Sequence, residues 1–315
     1  MVVARIRPVC AAISAVMVME IGGWVPMKKL VFDYAMTLRF SAPVSDHRFQ
    51  LRCVPATGPR QQVNDVNLKV TPQTEFETQH DAFDSIVITG FIPQPHTSFE
   101  YSVTGIVFVD NANIKPEMSK PLYRFDSALT RPGTTVETMR RPCAGTIAAA
   151  GRPLSVMERA EVAMHEVYAA FMYTPASTTI RTTAEQALRQ GRGVCQDYAH
   201  VMLAVCRHLG LPSRYIAGLL GGEGATHAWV EIYDQGRWIG FDPTHDRLVN
   251  ADYITIAHGR DYRDCMLDIG IFSGANVTQQ QWVNASVHEY RASGRRYGYT
   301  RLASMGRVKH GSSGY

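Results

Sequence analysis

Cys195 has the surroundings that most favour covalent chemistry among the side chains of this sequence. It follows Gly191-Arg192-Gly193-Val194 and begins a predicted helix whose apolar residues recur every three or four positions up to Leu209. The first turn of a helix carries unpaired amide hydrogens and a partial positive charge, which favour a thiolate and can bind an oxyanion. The two glycines let the backbone approach a substrate closely. The alternative is a buried cysteine in a core helix, which is our interpretation of Cys206.

A predicted β-hairpin supplies a histidine and an aspartate that could act with this thiol. Residues 226–234 and 237–244 have the pattern of two strands around a tight turn at Gln235-Gly236. A loop of two or four residues gives the same register, in which His227 lies diagonal to Asp242 on one face. Cβ atoms at that offset are about 7 Å apart, so the two side chains can reach each other.

This pair suits general base catalysis. A carboxylate bonded to one imidazole nitrogen fixes the tautomer and leaves the other nitrogen to take a proton from sulfur. We therefore predict Cys195 as the nucleophile, His227 as its base and Asp242 as the residue that orients the base. A loop of odd length would place Asp242 on the opposite face. The alternative to a catalytic pair is an ordinary hairpin with a surface histidine and an aspartate at the end of the hairpin.

Five further residues are weaker candidates for supporting roles. Gln196 and Asp197 follow the nucleophile and would help to form the oxyanion site, brace the turn or cap the helix. Trp229 would wall the cleft or lie in the core. Arg260 and Asp261 would form a bracing ion pair.

Capping and periodicity place these residues in a helical and β-hairpin region. Ser155-Val156-Met157-Glu158 forms a capping-box sequence before an apolar helix that extends to about Tyr173. Thr182-Thr183-Ala184-Glu185 forms a second one, before a short helix that ends at Gly191. We assign the catalytic region to residues 142–289.

The first half of the chain has a period of two instead. Apolar residues occupy every second position from Leu30 to Phe40, and the alternation recurs at Phe49-Leu51-Cys53 and at Phe99-Tyr101-Val103. We predict an antiparallel β-sandwich over residues 28–113 and a proline-containing connector over residues 114–141. The predicted fold class is α+β, a β-sandwich followed by helices packed on an antiparallel sheet.

Composition excludes several other classes of protein. The chain has 315 residues, a hydrophobic content of 45% and a net charge of +4, which is typical of folded domains and gives no reason to expect a nucleic-acid partner. Its six cysteines form no Cys-x-x-Cys pair and no zinc-ligand spacing with histidine. We therefore expect reduced thiols, a cytoplasmic location, no stable membrane insertion, no metal and no cofactor.

The two ends differ in character from the rest. Residues 1–27 form an N-terminal extension with two interpretations: an export signal, or an over-extended start before a true beginning at Met27. We favour the second because Glu20 interrupts the apolar run and no Ala-x-Ala cleavage site follows. Residues 290–315 are basic and rich in glycine and serine, which is typical of a flexible tail.

Four sequence blocks together resemble the bacterial transglutaminase-like superfamily. They are Gly191-x-Gly193-Val194-Cys195-Gln196-Asp197-Tyr198-Ala199-His200, Leu209-Gly210-Leu211-Pro212-Ser213-Arg214-Tyr215, His227-Ala228-Trp229-Val230-Glu231 and Asp242-Pro243-Thr244. The segment from Ile256 to Asp264 and the β-rich half resemble parts that follow and precede the core in this branch. Two departures are His245, where asparagine is common, and Asp84-Ser85, where Gly-Asn is usual. We expect neither departure to touch the triad.

The resemblance implies a papain-like transglutaminase core in which Cys195, His227 and Asp242 take the triad positions. It also implies acyl transfer, in which the thiolate attacks an amide, an amine leaves and the thioester passes to water or another amine. Hydrolysis of a peptide or protein substrate by a cysteine peptidase or amidase is the preferred interpretation. The alternatives are a protein-glutamine transglutaminase or deamidase, an acyltransferase similar to arylamine N-acetyltransferases, and a non-catalytic transglutaminase-like binding module.

Overall fold

The fold consists of two large antiparallel sheets, a two-stranded parallel ribbon and a group of helices, as seen in a computed structural model that describes residues 4–5 and 27–290. This arrangement confirms the predicted α+β class. The strands are β1 (Ala4–Arg5), β2 (Lys28–Leu51), β3 (Gln61–Thr71), β4 (Phe76–His80), β5 (Ile86–Ile92), β6 (His96–Val109), β7 (Met172–Tyr173), β8 (Arg192–Gly193), β9 (Ser213–Leu220), β10 (Gly222–Gly224), β11 (His227–Asp234), β12 (Arg237–Asp242), β13 (Arg247–Leu248), β14 (Tyr253–Gly259), β15 (Asp268–Ser273) and β16 (Gln279–Glu289). The α-helices are α1 (Thr134–Ala149), α2 (Val156–Ala170), α3 (Ala184–Gln190) and α4 (Cys195–His208), and short 3-10 helices span Pro121–Arg124 and Tyr262–Cys265.

The first sheet is built around β2, a strand of 24 residues. The first half of β2 lies between β6 and β16, whereas its second half lies between β5 and β15. Alternate residues from Leu30 to Phe40 are buried, as the period-two pattern predicts. Because the two halves of this long strand pair with different neighbouring strands, the sheet curls around a shared core.

The last two strands return to this first sheet. β16 pairs with β2 along its whole length, from Gln279 opposite Phe40 to Glu289 opposite Leu30. The catalytic region predicted over residues 142–289 includes β16, because the pattern of a strand does not identify the strand with which it pairs. The boundaries of the domains stay predictions. The proposed extension over residues 1–27 and tail over residues 290–315 lie, apart from Ala4–Arg5, Met27 and Tyr290, outside the described residues.

The second sheet has the strand order β13-β12-β11-β9-β14, and α4 packs against it. The sequence predicted that α4 is amphipathic with one buried face. Instead, every residue from Asp197 to Arg207 is buried, because α1, α2 and α3 cover the side of α4 that turns away from the sheet. None of the helices between residues 27 and 290 combines the length and the apolar character needed to cross a membrane.

Two helix boundaries differ from the prediction. α2 ends at Ala170 rather than near Tyr173, because the next residues pair with β8 and form β7. α1 begins at Thr134, inside the connector predicted over residues 114–141, and continues past Pro142. In both cases contacts that are distant along the chain decide where the helix lies, and local sequence does not reveal them.

The second capping box is shifted by one residue. Thr183 and Gln186, rather than Thr182 and Glu185, exchange the capping hydrogen bonds at the start of α3. Glu185 instead accepts hydrogen bonds from three backbone amides at the start of α1, at 2.9–3.1 Å. Its carboxylate therefore joins two helices that precede the proposed nucleophile.

Replacing Glu185 with alanine should lower the free energy of unfolding by about 1–2 kcal/mol, because three amides at the start of α1 lose their acceptor. Urea denaturation followed by circular dichroism measures this change. The matched control is Gln190→Ala, which alters an exposed residue at the end of the same helix. Equal stability of the two variants would contradict the capping role.

Candidate active site

Cys195 is the first residue of α4, so its thiol and its amide lie in the first turn as predicted. It is half-buried, whereas the other cysteines that the structure describes are buried. Those buried cysteines are Cys53, Cys143, Cys206 and Cys265, and all five thiols are free. Among residues 27–290, Cys195 is therefore the cysteine most accessible to a reagent or a substrate.

The turn before Cys195 is held by Asp197. Its carboxylate accepts hydrogen bonds from the amide of Val194 at 2.8 Å and from the Thr178 hydroxyl at 2.6 Å. A Cβ atom added at Gly193 would lie 2.6 Å from the Cβ of Asp197. The packing of Asp197 thus requires glycine at this position, and the predicted close approach of the backbone to a substrate stays a prediction.

Iodoacetamide near neutral pH should modify Cys195 about two orders of magnitude faster than Cys206, because burial excludes reagent from Cys206 and raises the pKa of its thiol. Mass spectrometry of the tryptic peptides over time measures both rates. In denaturant the two rates should converge, which serves as the control. Equally slow modification of both thiols in the folded protein would contradict a reactive Cys195.

The predicted hairpin register is observed in β11 and β12. The connecting loop has two residues, Gln235 and Gly236, and both have positive φ (46° and 84°), the conformation of a type I′ turn. An even loop keeps His227 and Asp242 on one face of the sheet. His227 Nε2 donates a hydrogen bond to Asp242 Oδ2 at 2.7 Å.

The electrostatic surroundings of His227 favour its charged form. Burial lowers the pKa of the ring, but hydrogen bonds with Asp242 and Cys195, together with their charges, outweigh burial and raise the pKa to about 10. Because Asp242 occupies Nε2, Nδ1 is the ring nitrogen that remains for the thiol of Cys195. An imidazolium in this position stabilises a neighbouring thiolate.

The free energy of unfolding should depend on this histidine above neutral pH. Folding raises the pKa of His227 from 6.5 to about 10. The protonated ring therefore adds its full share to the stability of the fold below pH 6.5, and this stabilisation is lost as the pH rises towards 10. Urea denaturation between these pH values should show a steeper loss of stability in the wild type than in His227→Gln. The control is His80→Gln, at an exposed histidine, which should follow the wild type. Parallel curves for wild type and His227→Gln would contradict the raised pKa.

Asp242 is fully buried and accepts hydrogen bonds from five donors. His227 Nε2, His245 Nδ1 and the Tyr253 hydroxyl each donate to Oδ2 at 2.7 Å, while the amides of Thr244 and His245 donate to Oδ1 at 2.9 and 3.3 Å. Burial raises the pKa of this carboxyl, but the hydrogen bonds and the charge of His227 hold it well below its usual value. Asp242 is therefore ionised at neutral pH.

Two of these donors, His245 and Tyr253, were not predicted to contact Asp242. His245 was expected not to touch the triad, but its ring and its amide both contact Asp242. The backbone turns directly after Asp242, so that a residue three positions later returns to the carboxylate; an Asx turn at Asp-Pro-Thr could have indicated this. Tyr253, at the start of β14, was missed because no local pattern connects it to β12. Arg247 Nε donates to the Tyr253 hydroxyl at 2.9 Å and orients it.

Within the described residues, His227, Asp242 and His245 also form the one group of three whose potential metal-ligand atoms all lie within 4.8 Å of one another. The hydrogen bonds among them account for this spacing. We therefore assign no ion to the group, and the predicted lack of a metal and a cofactor stays a prediction.

Gln196 contacts the loop that precedes α3, whereas Trp229 lies in the core. Gln196 Nε2 donates to the carbonyl of Thr179 at 3.5 Å, so its side chain turns towards the loop that precedes α3. Trp229 is fully buried, and its ring centroid lies 5.3 Å from that of Tyr253 and 6.2 Å from that of His227. The tryptophan packs behind the histidine in the core and does not form an open wall of a cleft.

Arg260 and Asp261 do not form the expected ion pair. Arg260 Nε donates to Asp264 Oδ2 at 2.9 Å, because the chain turns into a 3-10 helix that brings residues four apart together. Asp261 is buried and caps this helix by accepting from the amide of Arg263 at 2.7 Å. Neither side chain contacts the thiol, the imidazole or the carboxylate of the proposed triad in the hydrogen bonds that the structure shows.

Two parts of the chain match models of known protein families. Residues 144–243 match the family model of the transglutaminase-like superfamily, and residues 32–108 match that of the bacterial transglutaminase-like N-terminal region. These matches confirm the resemblance drawn from the sequence blocks.

Similar proteins include two uncharacterized mycobacterial proteins and one solved structure. A Mycobacterium leprae protein is 29% identical over 265 residues, which cover 76% of this chain and 91% of the relative. A Mycobacterium tuberculosis protein is 40% identical over 114 residues, which cover 31% of this chain and 36% of the relative. The crystal structure of a candidate cysteine protease from Cytophaga hutchinsonii superposes with a TM-score of 0.66 at 22% identity, over 86% of this chain and 94% of that chain. At this identity the superposition shows a shared fold.

Proposed function

The chain carries a transglutaminase-like core after a bacterial transglutaminase-like N-terminal region, and from this premise we propose that it is a cysteine peptidase or amidase acting on peptides or proteins. In this proposal Cys195 is the nucleophile, His227 is the base and Asp242 orients the base. The observation that supports it most is the hydrogen bond of 2.7 Å between His227 and the buried Asp242, with Cys195 close enough to raise the pKa of the same ring.

The first half of the proposed reaction forms a thioester. The thiolate of Cys195 attacks the amide carbonyl carbon, the C–S bond forms and the carbonyl electrons move to oxygen. When the C–N bond breaks, the imidazolium of His227 gives its Nδ1 proton to the departing amine. Asp242 keeps the ring oriented because its carboxylate holds the Nε2–H group throughout.

The second half returns the enzyme to its starting state. His227, now neutral, takes a proton from water as the water oxygen attacks the thioester carbonyl. The C–S bond breaks, the carboxylic acid leaves and the thiolate is again paired with the imidazolium. During both halves, the amides of Cys195 and Gln196 at the start of α4 are the natural donors for the oxyanion, since the first amides of a helix have no carbonyl one turn earlier. The amide of Asp197 instead donates to the carbonyl of Val194 at 2.8 Å.

Transfer to an amine differs from hydrolysis only in the second acceptor. A transglutaminase or another acyltransferase would use the same three side chains, and the shape of the acceptor site decides between water and an amine. We favour hydrolysis because water, the acceptor in that reaction, is small and needs no second binding site of its own. The cytoplasmic location, predicted from the scattered cysteines, remains part of this proposal.

A peptide library combined with a thiol-directed activity probe tests the proposal. The wild type should cleave a subset of the peptides and react with the probe, whereas Cys195→Ala should do neither. Mass spectrometry of the products distinguishes release of a free acid from incorporation of an added primary amine. Probe labelling without turnover of any amide would indicate the alternative of a binding module.

A further inference from the structure

An exposed aromatic and apolar surface lies beside the proposed nucleophile. We define it as the aromatic ledge, formed by Tyr168, Phe171, Met172 and Tyr173 above the buried ring of Tyr198. Tyr168, Met172 and Tyr173 are 47%, 68% and 53% exposed. Large apolar side chains that are exposed next to one another mark sites where another molecule binds.

The ledge is attached directly to the helix that carries the thiol. Tyr198 lies one turn after Cys195, and its ring centroid is 4.7 Å from that of Phe171 and 6.5 Å from that of Tyr173. Through the pairing of β7 with β8, Tyr173 lies opposite Gly193, two residues before Cys195. The ledge and the sulfur are therefore held in a defined relation by backbone hydrogen bonds and ring packing.

The electrostatics of Tyr173 also indicate that it lies close to the sulfur. Burial raises the pKa of the Tyr173 hydroxyl, and the charge of Cys195 raises it further. Burial also raises the pKa of Tyr198, with a smaller contribution from Tyr168. The raised pKa values keep Tyr173 and Tyr198 neutral near pH 7, and the aromatic surface that they form favours uncharged side chains.

We propose that the aromatic ledge binds an aromatic or large apolar side chain in the acyl half of the substrate, next to the amide that Cys195 attacks. This inference rests on the proposed function, because it assumes that Cys195 is the nucleophile. The amine must receive its proton from His227, so it departs on the side of the sheet. Tyr173 and Tyr198 lie on the side of α4 and β8, where the acyl half remains attached to sulfur.

Two chloromethyl ketones test the ledge without any need for turnover. Acetyl-Ala-Ala-Phe and acetyl-Ala-Ala-Ala chloromethyl ketones both alkylate a thiolate with loss of chloride, and both place the tested side chain in the acyl half. With the wild type, the phenylalanine reagent should modify Cys195 roughly tenfold faster, the discrimination that an apolar contact surface typically provides. Mass spectrometry of the Cys195 peptide gives both rates, and the iodoacetamide rate of each variant corrects for the reactivity of its sulfur.

Variants of one ledge residue complete the experiment. Tyr173→Ala should reduce the ratio of the two rates to near one, whereas Tyr173→Phe should keep it, because the ring rather than the hydroxyl forms the surface. The control is Tyr290→Ala, which removes an equally exposed tyrosine (53%) that packs on Lys29 in the first sheet. This variant should behave as the wild type does.

Three outcomes would contradict the proposed role of the aromatic ledge, and a different outcome would contradict the proposed function. An unchanged ratio in Tyr173→Ala, or no preference in the wild type, excludes the ledge as the acyl site. A wild-type dimer that dissociates on Tyr173→Ala in sedimentation experiments would assign the ledge to a second copy of the chain. Failure of every reagent, iodoacetamide included, to modify Cys195 would instead contradict the nucleophile itself.

Discussion

Cys195→Ala should abolish amide hydrolysis, with a loss of at least about four orders of magnitude in kcat/KM, because the acyl-enzyme cannot form without the sulfur. The substitution removes one atom from a half-buried position at the start of α4, and alanine is a good helix former. The fold should therefore survive. Initial rates with a peptide selected from the library measure the loss, and circular dichroism verifies that the variant is folded.

The matched control for this variant lies on the same helix. Cys206 is fully buried on α4, and Cys206→Ala removes the same sulfur atom from the core. It should lower the free energy of unfolding by about 1 kcal/mol and leave kcat/KM within about twofold of the wild type. If Cys195→Ala kept substantial activity while remaining folded, the nucleophile would have been assigned to the wrong residue.

Asp242→Asn should reduce kcat by about 10³- to 10⁴-fold with little change in KM, the size of effect known when the orienting carboxylate of a triad is lost. An amide has nearly the same shape but no charge, and it can no longer stabilise the protonated form of His227. The pKa of His227 should then fall from its raised value, since the hydrogen bond and charge of Asp242 are its main supports. NMR titration of the His227 ring protons measures this change directly.

Asp234→Asn is the matched control for this second variant. Asp234 lies at the far end of the same hairpin, opposite Arg237, so the same chemical change is made in the same element without contact with His227. It should keep wild-type activity and the raised pKa of His227. A folded Asp242→Asn enzyme with wild-type kcat would show that Asp242 has a structural role alone.

The hydrogen bonds around Asp242 explain why this carboxylate is sensitive. His227 and His245 both donate to the same oxygen, and Tyr253 is the third donor. An uncharged asparagine at this position would leave buried donors without a charged acceptor, which is unfavourable in addition to the loss of orientation. Measurements on Asp242→Asn should therefore include a denaturation curve, so that the loss of kcat can be assigned to folded protein.

Local patterns predicted several features of the site that the structure confirms. The spacing of apolar residues up to Leu209 predicted the extent of α4. The two-residue turn at Gln235-Gly236 predicted the register of β11 and β12, and with it the approach of His227 to Asp242. These predictions succeed because helix period, strand alternation and turn geometry depend on residues that are close along the chain.

Other features depended on contacts that no local pattern contains. β16 resembles any half-buried strand, and only the tertiary structure shows that it pairs with β2. Glu185 fits a capping box for α3, yet its carboxylate caps α1, because a helix that is distant in sequence offers amides at a better position. Burial of α4 on every side follows from the packing of three other helices, which its own amphipathic pattern could not reveal.

The sequence by itself determined the α+β class, the helix that begins at Cys195 and the shared face of His227 and Asp242. Only the tertiary structure decided what surrounds the carboxylate and what lies beside the sulfur: the second histidine and Tyr253 on Asp242, and the aromatic ledge next to Cys195. The physical reason is that backbone periodicity follows from neighbouring residues, whereas the environment of a side chain is formed by elements that meet only when the chain has folded.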